Sequence, residues 1–107
     1  MYGDGNLAMR FQTNHQDYVN DIQFDYYGRR MATCSADMTI KVWDMTEEGD
    51  WHVNPGCSWK AHHGIVWRLD WAHPEFGQVL ASCSSDHIVQ IWEEQEAAAG
   101  PGEPPPP

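Results

Sequence analysis

Four residue types that could do chemistry together occur twice in this 107-residue chain. The two sets are His15, Thr33, Asp37, Trp43 and His62, Ser82, Asp86, Trp92. In both, the aspartate follows the hydroxyl residue by 4 positions and the tryptophan follows the aspartate by 6, whereas histidine and aspartate are 22 and 24 positions apart. Histidine, a hydroxyl and a carboxylate are the components of a nucleophilic triad, so hydrolysis is the first chemistry to consider.

A structural hydrogen-bond chain explains the same residues better. A buried tryptophan N–H needs an acceptor, and a hydroxyl can accept from it and donate to a histidine whose other nitrogen pairs with a carboxylate. A hydrolase using His15, Thr33 and Asp37 would instead need an exposed nucleophile in a strained turn and an oxyanion hole. Thr33 lies between apolar neighbours in a predicted strand. We therefore expect a structural polar network and no catalytic residue.

These sets belong to an internal repeat. Segment 32–43 returns 49 residues later as 81–92, and segment 19–24 returns 47 residues later as 66–71. Each unit carries three short runs rich in Val, Ile, Thr and aromatic residues and bounded by turn residues, which is typical of β-strands. Helical periodicity is not evident. The pattern predicts an all-β chain.

The chain divides around these repeats. A fourth strand per unit is predicted just before each histidine, at 7–13 and 57–60. The predicted divisions are 1–13, an N-terminal segment with an outer strand; 14–60, the first repeat; 61–94, the second repeat with three inner strands; and 95–107, a tail. Five of the seven prolines fall in the last seven residues, so we expect the tail to be disordered. It lacks the flanking arginine of an SH3 or WW ligand.

Composition excludes several function classes. With 6 basic and 16 acidic residues, the net charge of -10 argues against direct binding to nucleic acid or an anionic membrane. No apolar run is long enough to span a bilayer, and no signal peptide is evident at the N-terminus. Three cysteines without C-x-x-C spacing fit neither a disulfide framework nor a zinc ribbon. We expect a reducing compartment.

Histidines suggest a metal site that the spacing does not support. The candidates are His62, His63, His73 and His87. No carboxylate or thiol joins them at ligand spacing, and His62 already belongs to the repeat network. We expect neither a metal nor a cofactor.

The repeat resembles the WD40 family. Its characteristic GH and WD dipeptides are represented by Asn14-His15, Trp43-Asp44, Ala61-His62 and Trp92-Glu93. In that family each repeat supplies a four-stranded propeller blade, and the first strand of each repeat completes the previous blade. The resemblance implies a partial propeller with two four-stranded blades, whose ring is not closed.

Longer strings resemble a narrower family, the Seh-type nucleoporins, over residues 14–94. They are FDYYGRRMATCSAD, IKVWD, GDWH, SWKAH and VWRLDWAHPEFGQVLASCSSD. The related Sec-thirteen type of the COPII coat shares the DYYG, ATCS and WAHP pieces, while Trp67-Arg68 and the segment 75–78 favour the Seh type. This resemblance implies a non-catalytic scaffold in the Y-shaped nuclear pore complex, completed by a strand or blade from a partner nucleoporin.

The resemblance also carries alternatives. It implies a place at the nuclear envelope, in protein and mRNA transport, with the cytoplasm or the lysosomal surface as further locations through a GATOR-like complex in TORC signalling. A vesicle scaffold of the COPII type is the alternative interpretation of the function. Two repeats cannot close a ring of four to eight blades. The chain is therefore interpreted as a truncated product, a splice form or a diverged duplicate, whose open blade faces favour self-association or aggregation.

Loops beside the histidines and aspartates are the predicted partner-binding surface. The candidates are Asp17, Tyr18, Met38, His63, Ile65 and His87. Exposed aromatic and charged side chains on such loops are typical contact residues. Trp51 and Trp59 lie outside the networks, and core packing is the expectation for both.

Overall fold

The computed structural model describes residue 7 and residues 9–94, apart from the side chains of residues 54–56. Seven strands are present in this part of the chain: β1 (Val19–Phe24), β2 (Arg30–Ser35), β3 (Thr39–Met45), β4 (Trp51–Lys60), β5 (Val66–Trp71), β6 (Val79–Ser84) and β7 (Val89–Glu93). A single 3-10 turn at Pro74–Phe76 separates β5 from β6. The predicted all-β class is confirmed. The predicted tail, 95–107, lies outside the described residues.

The strands form two antiparallel sheets. The first sheet has the order β1-β2-β3-β4 and the second has the order β5-β6-β7. The tight turns before β3 and β7 place Met38 and His87 at φ 75° and 69°. These two residues occupy the same position in the repeat, so both units enter the strand that follows the aspartate through the same left-handed turn.

The fourth strand is where expectation and structure differ. The predicted strand 57–60 is the end of the longer β4, which pairs with β3 and completes the first sheet. Residue 7 and residues 9–13 carry no strand, contrary to the prediction. By the logic of the repeat, this segment would complete a sheet preceding the first, and no such sheet lies among the described residues. A strand forms only against an edge that its backbone can pair with.

The second sheet has three strands in the described part of the chain, so the expectation of two four-stranded blades holds only for the first sheet. All three strands of this sheet lie within segment 61–94. No hydrogen-bonded ladder joins the two sheets, and the ring is not closed among the described residues. Nor does this part of the chain contain a helix long and apolar enough to cross a membrane.

The core lies between the two sheets. One face of the first sheet contributes Ala32, Cys34, Ile40 and Val42, and the facing surface of the second contributes Val66, Leu69 and Leu80. Residues directly opposite one another on paired strands share a face, and Ala32 lies opposite Val42 just as Cys34 lies opposite Ile40. The other face of each sheet therefore points away from this shared core.

Candidate functional site

The first polar network is built from His15, Thr33, Asp37 and Trp43. Trp43 Nε1 donates to Thr33 Oγ1 over 3.1 Å, and Thr33 Oγ1 lies 2.8 Å from His15 Nε2. His15 Nδ1 lies 3.2 Å from Asp37 Oδ2. Because a carboxylate only accepts, Nδ1 carries the proton and Nε2 accepts from the Thr33 hydroxyl. The network connects β2 and β3 to the segment that precedes β1.

Asp37 is the acceptor on which this network ends. Besides His15, its carboxylate accepts from the backbone N–H of Gln16 over 2.7 Å and from that of Thr39 over 2.9 Å. Burial opposes its ionisation, but the hydrogen bonds from Thr39 and Gln16 outweigh it and lower the pKa of Asp37 to about 2. Burial lowers the pKa of His15, although Asp37 opposes that shift. The pair is therefore a neutral imidazole bonded to an ionised carboxylate.

The second polar network repeats this geometry with His62, Ser82, Asp86 and Trp92. Trp92 Nε1 donates to Ser82 Oγ over 3.0 Å, and Ser82 Oγ lies 2.8 Å from His62 Nε2. His62 Nδ1 lies 3.0 Å from Asp86 Oδ2. Burial opposes ionisation of Asp86, yet hydrogen bonds from the Ile88 backbone and His62 lower its pKa. The eight predicted network residues thus lie in two groups of four.

Thr39 is a network member that the spacing did not identify. Its hydroxyl donates to Asp37 Oδ1 and lies 3.0 Å from His15 Nδ1. The equivalent position in the second unit is Ile88, which has no hydroxyl. The available signal was local: a residue two positions after an aspartate commonly returns a hydrogen bond to its carboxylate.

The two hydroxyl groups are arranged like triad nucleophiles but are enclosed. Thr33 is 0% exposed and Ser82 is 2% exposed. Each hydroxyl oxygen also accepts from a tryptophan N–H, which occupies one of its two lone pairs. A substrate carbonyl has no approach to either oxygen in this arrangement, so the geometry favours the structural role of the network.

The predicted partner-binding residues lie on the loops that border the networks. Asp17, Tyr18, His63 and His87 are exposed, whereas Met38 and Ile65 are half-buried. Backbone hydrogen bonds hold these loops in place: Ala36 N–H donates to Tyr18 O over 2.9 Å and Ser85 N–H to Ile65 O over 3.0 Å. The loops therefore form one edge of the two sheets.

Gly64 fixes the approach of one of these loops. A Cβ atom at this position would lie 2.5 Å from Ser85 Oγ and 3.1 Å from the Asp86 backbone nitrogen. A side chain here would displace the Ser85 hydroxyl, which accepts from the Ile65 N–H, and would crowd the backbone of Asp86. In the sequence, an isolated glycine is the only indication that this loop lies close to the turn at residues 85 and 86.

Arg30 joins the two sheets at their other end. Its guanidinium donates to Asp44 Oδ1 over 2.7 Å, to Gln78 Oε1 over 3.2 Å and to Glu94. Burial opposes the charge on Arg30, but its acidic partners raise its pKa. The residues of this cluster are 14, 48 and 64 positions from Arg30. Because these residues are far apart along the chain, no local sequence pattern predicts the cluster.

The remaining candidates from the sequence have packing contacts. Trp59 packs edge-on against Trp92, with ring centroids 5.2 Å apart, and Trp51 contacts Phe24 at 5.8 Å. Cys34 is buried, and burial raises the pKa of its thiol to about 12. No group of three or more possible metal ligands forms among the described residues.

The second sheet has an open side. In the part of the chain that the structure describes, no strand pairs with the outer edge of β7. On the face turned away from the core, Val89 and Ile91 are 66% and 64% exposed. Ala81 and Cys83 lie opposite them on β6 and are half-buried. An unpaired backbone edge beside an apolar face is a surface that accepts another strand or sheet.

Comparison with known proteins identifies the repeat. The sequence model of the family described as WD domain, G-beta repeat, matches residues 6–44 and 54–93. These two matches cover most of the chain, and each contains one complete polar network.

The chain is also similar to curated proteins named Nucleoporin SEH1. It is 57% identical to those of Homo sapiens and Xenopus tropicalis, and 53% identical to that of Danio rerio, over 73 residues in each case. The alignment covers 68% of this chain and 20% of the relatives. The chain therefore spans about a fifth of the length of the curated relatives it matches.

Proposed function

This chain belongs to the WD40-repeat family, and from that premise we propose that it is a non-catalytic scaffold that binds a nucleoporin partner in a nuclear pore assembly. The observation that carries the proposal is the open side of the second sheet, with its unpaired β7 edge and its apolar face. The similarity to Nucleoporin SEH1 supports the choice of partner class.

The partner donates a strand to the edge of β7. Backbone groups along that edge have no partner strand in the described chain, so an added strand would gain main-chain hydrogen bonds. Val89 and Ile91 would pack beside the apolar side chains on the same face of the added strand. The polar networks hold the turns before β3 and β7 in place and take no direct part in binding.

The loop residues supply a second contact. Asp17, Tyr18, His63 and His87 are exposed on the edge that the networks support, with Met38 and Ile65 half-buried beside them. Tyr18 is 80% exposed and offers the large flat contact area that interfaces favour. We assign this edge to contacts that add specificity after the strand has paired.

A binding assay tests the proposal with matched variants. The probe is a purified Y-shaped nuclear pore subcomplex prepared without its own Seh-type subunit, and binding is measured by affinity capture. Val89→Lys should strongly weaken capture, because residue 89 would lie beside apolar side chains on the same face of the added strand, where a charge is costly to bury. Phe76→Lys is the control, because Phe76 is 68% exposed and lies in the 3-10 turn between β5 and β6, outside both strands of the β6–β7 pair. Capture of a COPII coat subcomplex in preference to the Y-shaped one would contradict the proposal.

Localisation provides an independent measurement. We expect a fluorescent fusion of the chain to concentrate at the nuclear envelope, and the Val89→Lys fusion to spread through the cell. Equal distribution of both fusions would remove the nuclear pore from the proposal.

A further inference from the structure

The open face of the second sheet repeats the residues that are covered in the first. Ala81, Cys83, Val89 and Ile91 stand 49 positions after Ala32, Cys34, Ile40 and Val42. The four earlier residues are at most 8% exposed because the second sheet packs on them. The later ones have no covering sheet in the described chain. In the described chain, the same apolar pattern is therefore covered by a sheet in the first unit and uncovered in the second.

The covering surface also occurs twice. Val66, Leu69 and Trp71 of β5 pack into the core on the covered face. Their counterparts 47 positions earlier are Val19, Ile22 and Phe24, on the first strand of the first sheet. These three side chains are 39%, 48% and 55% exposed. One chain thus carries both halves of a sheet-to-sheet interface, each half lacking its partner.

The strand pairing shows the same complementarity. In the first sheet β4 ends at Lys60, two residues before His62, and Trp59 lies opposite Ile40. Residues 9–13 stand in the same relation to His15 and have no strand to pair with, while β7 has no strand on its outer edge. The register of β4 on β3, carried over by the repeat, would set Gln12 opposite Val89.

One polar contact of the existing interface is replaced by an apolar pair at the equivalent positions. Arg30 of the first sheet forms an ion pair with Glu94 of the second. The residues 49 positions after Arg30 and 49 positions before Glu94 are Val79 and Met45. Met45 is 43% exposed and Val79 is half-buried. The two positions change together, from a charged pair to an apolar one.

From these four correspondences we propose that a second copy of this chain docks head to tail on the open side of the second sheet. Val19, Ile22 and Phe24 of the incoming copy cover Val89 and Ile91, and its residues 9–13 pair with β7 as the fourth strand. The inference rests on the proposed function in taking that side of the sheet as an interaction surface. The second copy and the nucleoporin strand compete for it, because both would pair with the outer edge of β7, so the nucleoporin binds only a copy whose β7 edge is free.

The interface is heterologous, because two different surfaces meet. Each added copy presents a new open side, so association continues until the ring closes. With the two described sheets in each copy, two, three or four copies would supply four, six or eight blades, all within the range that closed propellers adopt.

Complementation between two variants tests the direction of docking. Ile91→Lys disables the open face and leaves the incoming surface intact, whereas Ile22→Lys does the reverse. Analytical ultracentrifugation of the purified full chain should show multiples of the 12.2 kDa mass. Each variant alone should sediment as one copy, and their equimolar mixture should form a dimer because one intact surface of each kind remains.

The control variant is Phe76→Lys, which should associate as the unaltered chain does. Circular dichroism should show that all three variants keep their β-structure. A monomeric unaltered chain would overturn the proposal, as would variants that stay monomeric after mixing or a dimer that neither substitution affects.

This experiment is separate from the test of nuclear pore binding. Self-association is measured on the purified chain alone, and nucleoporin capture is measured with the Y-shaped subcomplex. A chain that is captured but does not self-associate overturns the head-to-tail inference only. A chain that self-associates but is not captured overturns the nuclear pore proposal only.

Discussion

The two repeats build the same hydrogen-bonded network in different surroundings. The second network lies on the face of its sheet that meets the first sheet, where Trp92 packs against Trp59. The first network lies on the opposite side of the first sheet, and there Trp43 contacts Phe11 of the N-terminal segment at 5.0 Å. The repeat therefore determines the hydrogen bonds within each network. The residues that pack on the tryptophan of the network, Trp59 in one case and Phe11 in the other, determine its surroundings.

A single position separates the two networks chemically. Thr39 adds a hydroxyl beside Asp37 and His15 in the first unit, and Ile88 adds none in the second. A carboxylate that accepts more hydrogen bonds is stabilised more strongly in its ionised form. The first network is therefore the more tightly bonded of the two.

Removing the charge at each aspartate should give the largest difference in stability between the two networks. Asp37→Asn replaces an acceptor of four groups by an amide, and we expect the free energy of unfolding to fall by about 2 kcal/mol. Asp86→Asn should cost less, because the hydroxyl donor is missing there. Urea unfolding followed by tryptophan fluorescence measures both. Equal losses would show that Thr39 adds nothing to the first network.

Exchanging the residue types at positions 39 and 88 should make the two networks more alike in stability and in the pKa of the aspartate. Thr39→Val should lower the free energy of unfolding by about 1 kcal/mol, since a hydroxyl bonded to a carboxylate is lost. Ile88→Thr should lower the pKa of Asp86, because it supplies the equivalent hydroxyl. NMR titration of the aspartate side chains reads the second change directly. An unchanged Asp86 pKa in Ile88→Thr would mean that the turn, and not the hydroxyl, makes the difference.

Acidification should give the smallest effect, and it should act through His15. The pKa of His15 is below its ordinary value of 6.5 in the folded state, so the unfolded chain binds a proton first as the pH falls. Stability is therefore full above pH 6.5 and declines below it. The lowered pKa of Asp37 adds a second loss between its ordinary value of 3.8 and about 2.

The variant His15→Gln isolates the histidine contribution. Its free energy of unfolding should change less between pH 7 and pH 5 than that of the unaltered chain, because one titrating group is gone. Urea unfolding at a series of pH values gives the two slopes. Identical slopes would remove His15 as a source of the pH dependence.

Much of the fold follows from the repeat. Strands β1 to β3 and β5 to β7 lie where the short apolar runs predict them, since alternating side chains and bounding turns are local properties. The prediction for 7–13 was wrong for a non-local reason. The composition of that segment suits a strand, but a strand also requires a partner strand beside it, and none of the described strands pairs with this segment.

The candidate site divides in the same way. The His, Ser or Thr, Asp and Trp positions were visible because they recur at fixed offsets. Thr39 and Gly64 were missed because their importance arises from atoms that the turns bring close. Arg30 was missed because its partner Glu94 is 64 positions away.

The sequence by itself determined the three inner strands of each unit, the turns between them and the four residues that recur in each network, because these depend on neighbours along the chain or on the repeat. Only the tertiary structure decided which face of each sheet is covered. That face is apolar in both units, with Ala, Cys and two β-branched residues at equivalent places. In the first sheet it is buried against the second, and in the second sheet it is open. Burial depends on what packs across a face, and the pattern of one strand does not contain that information.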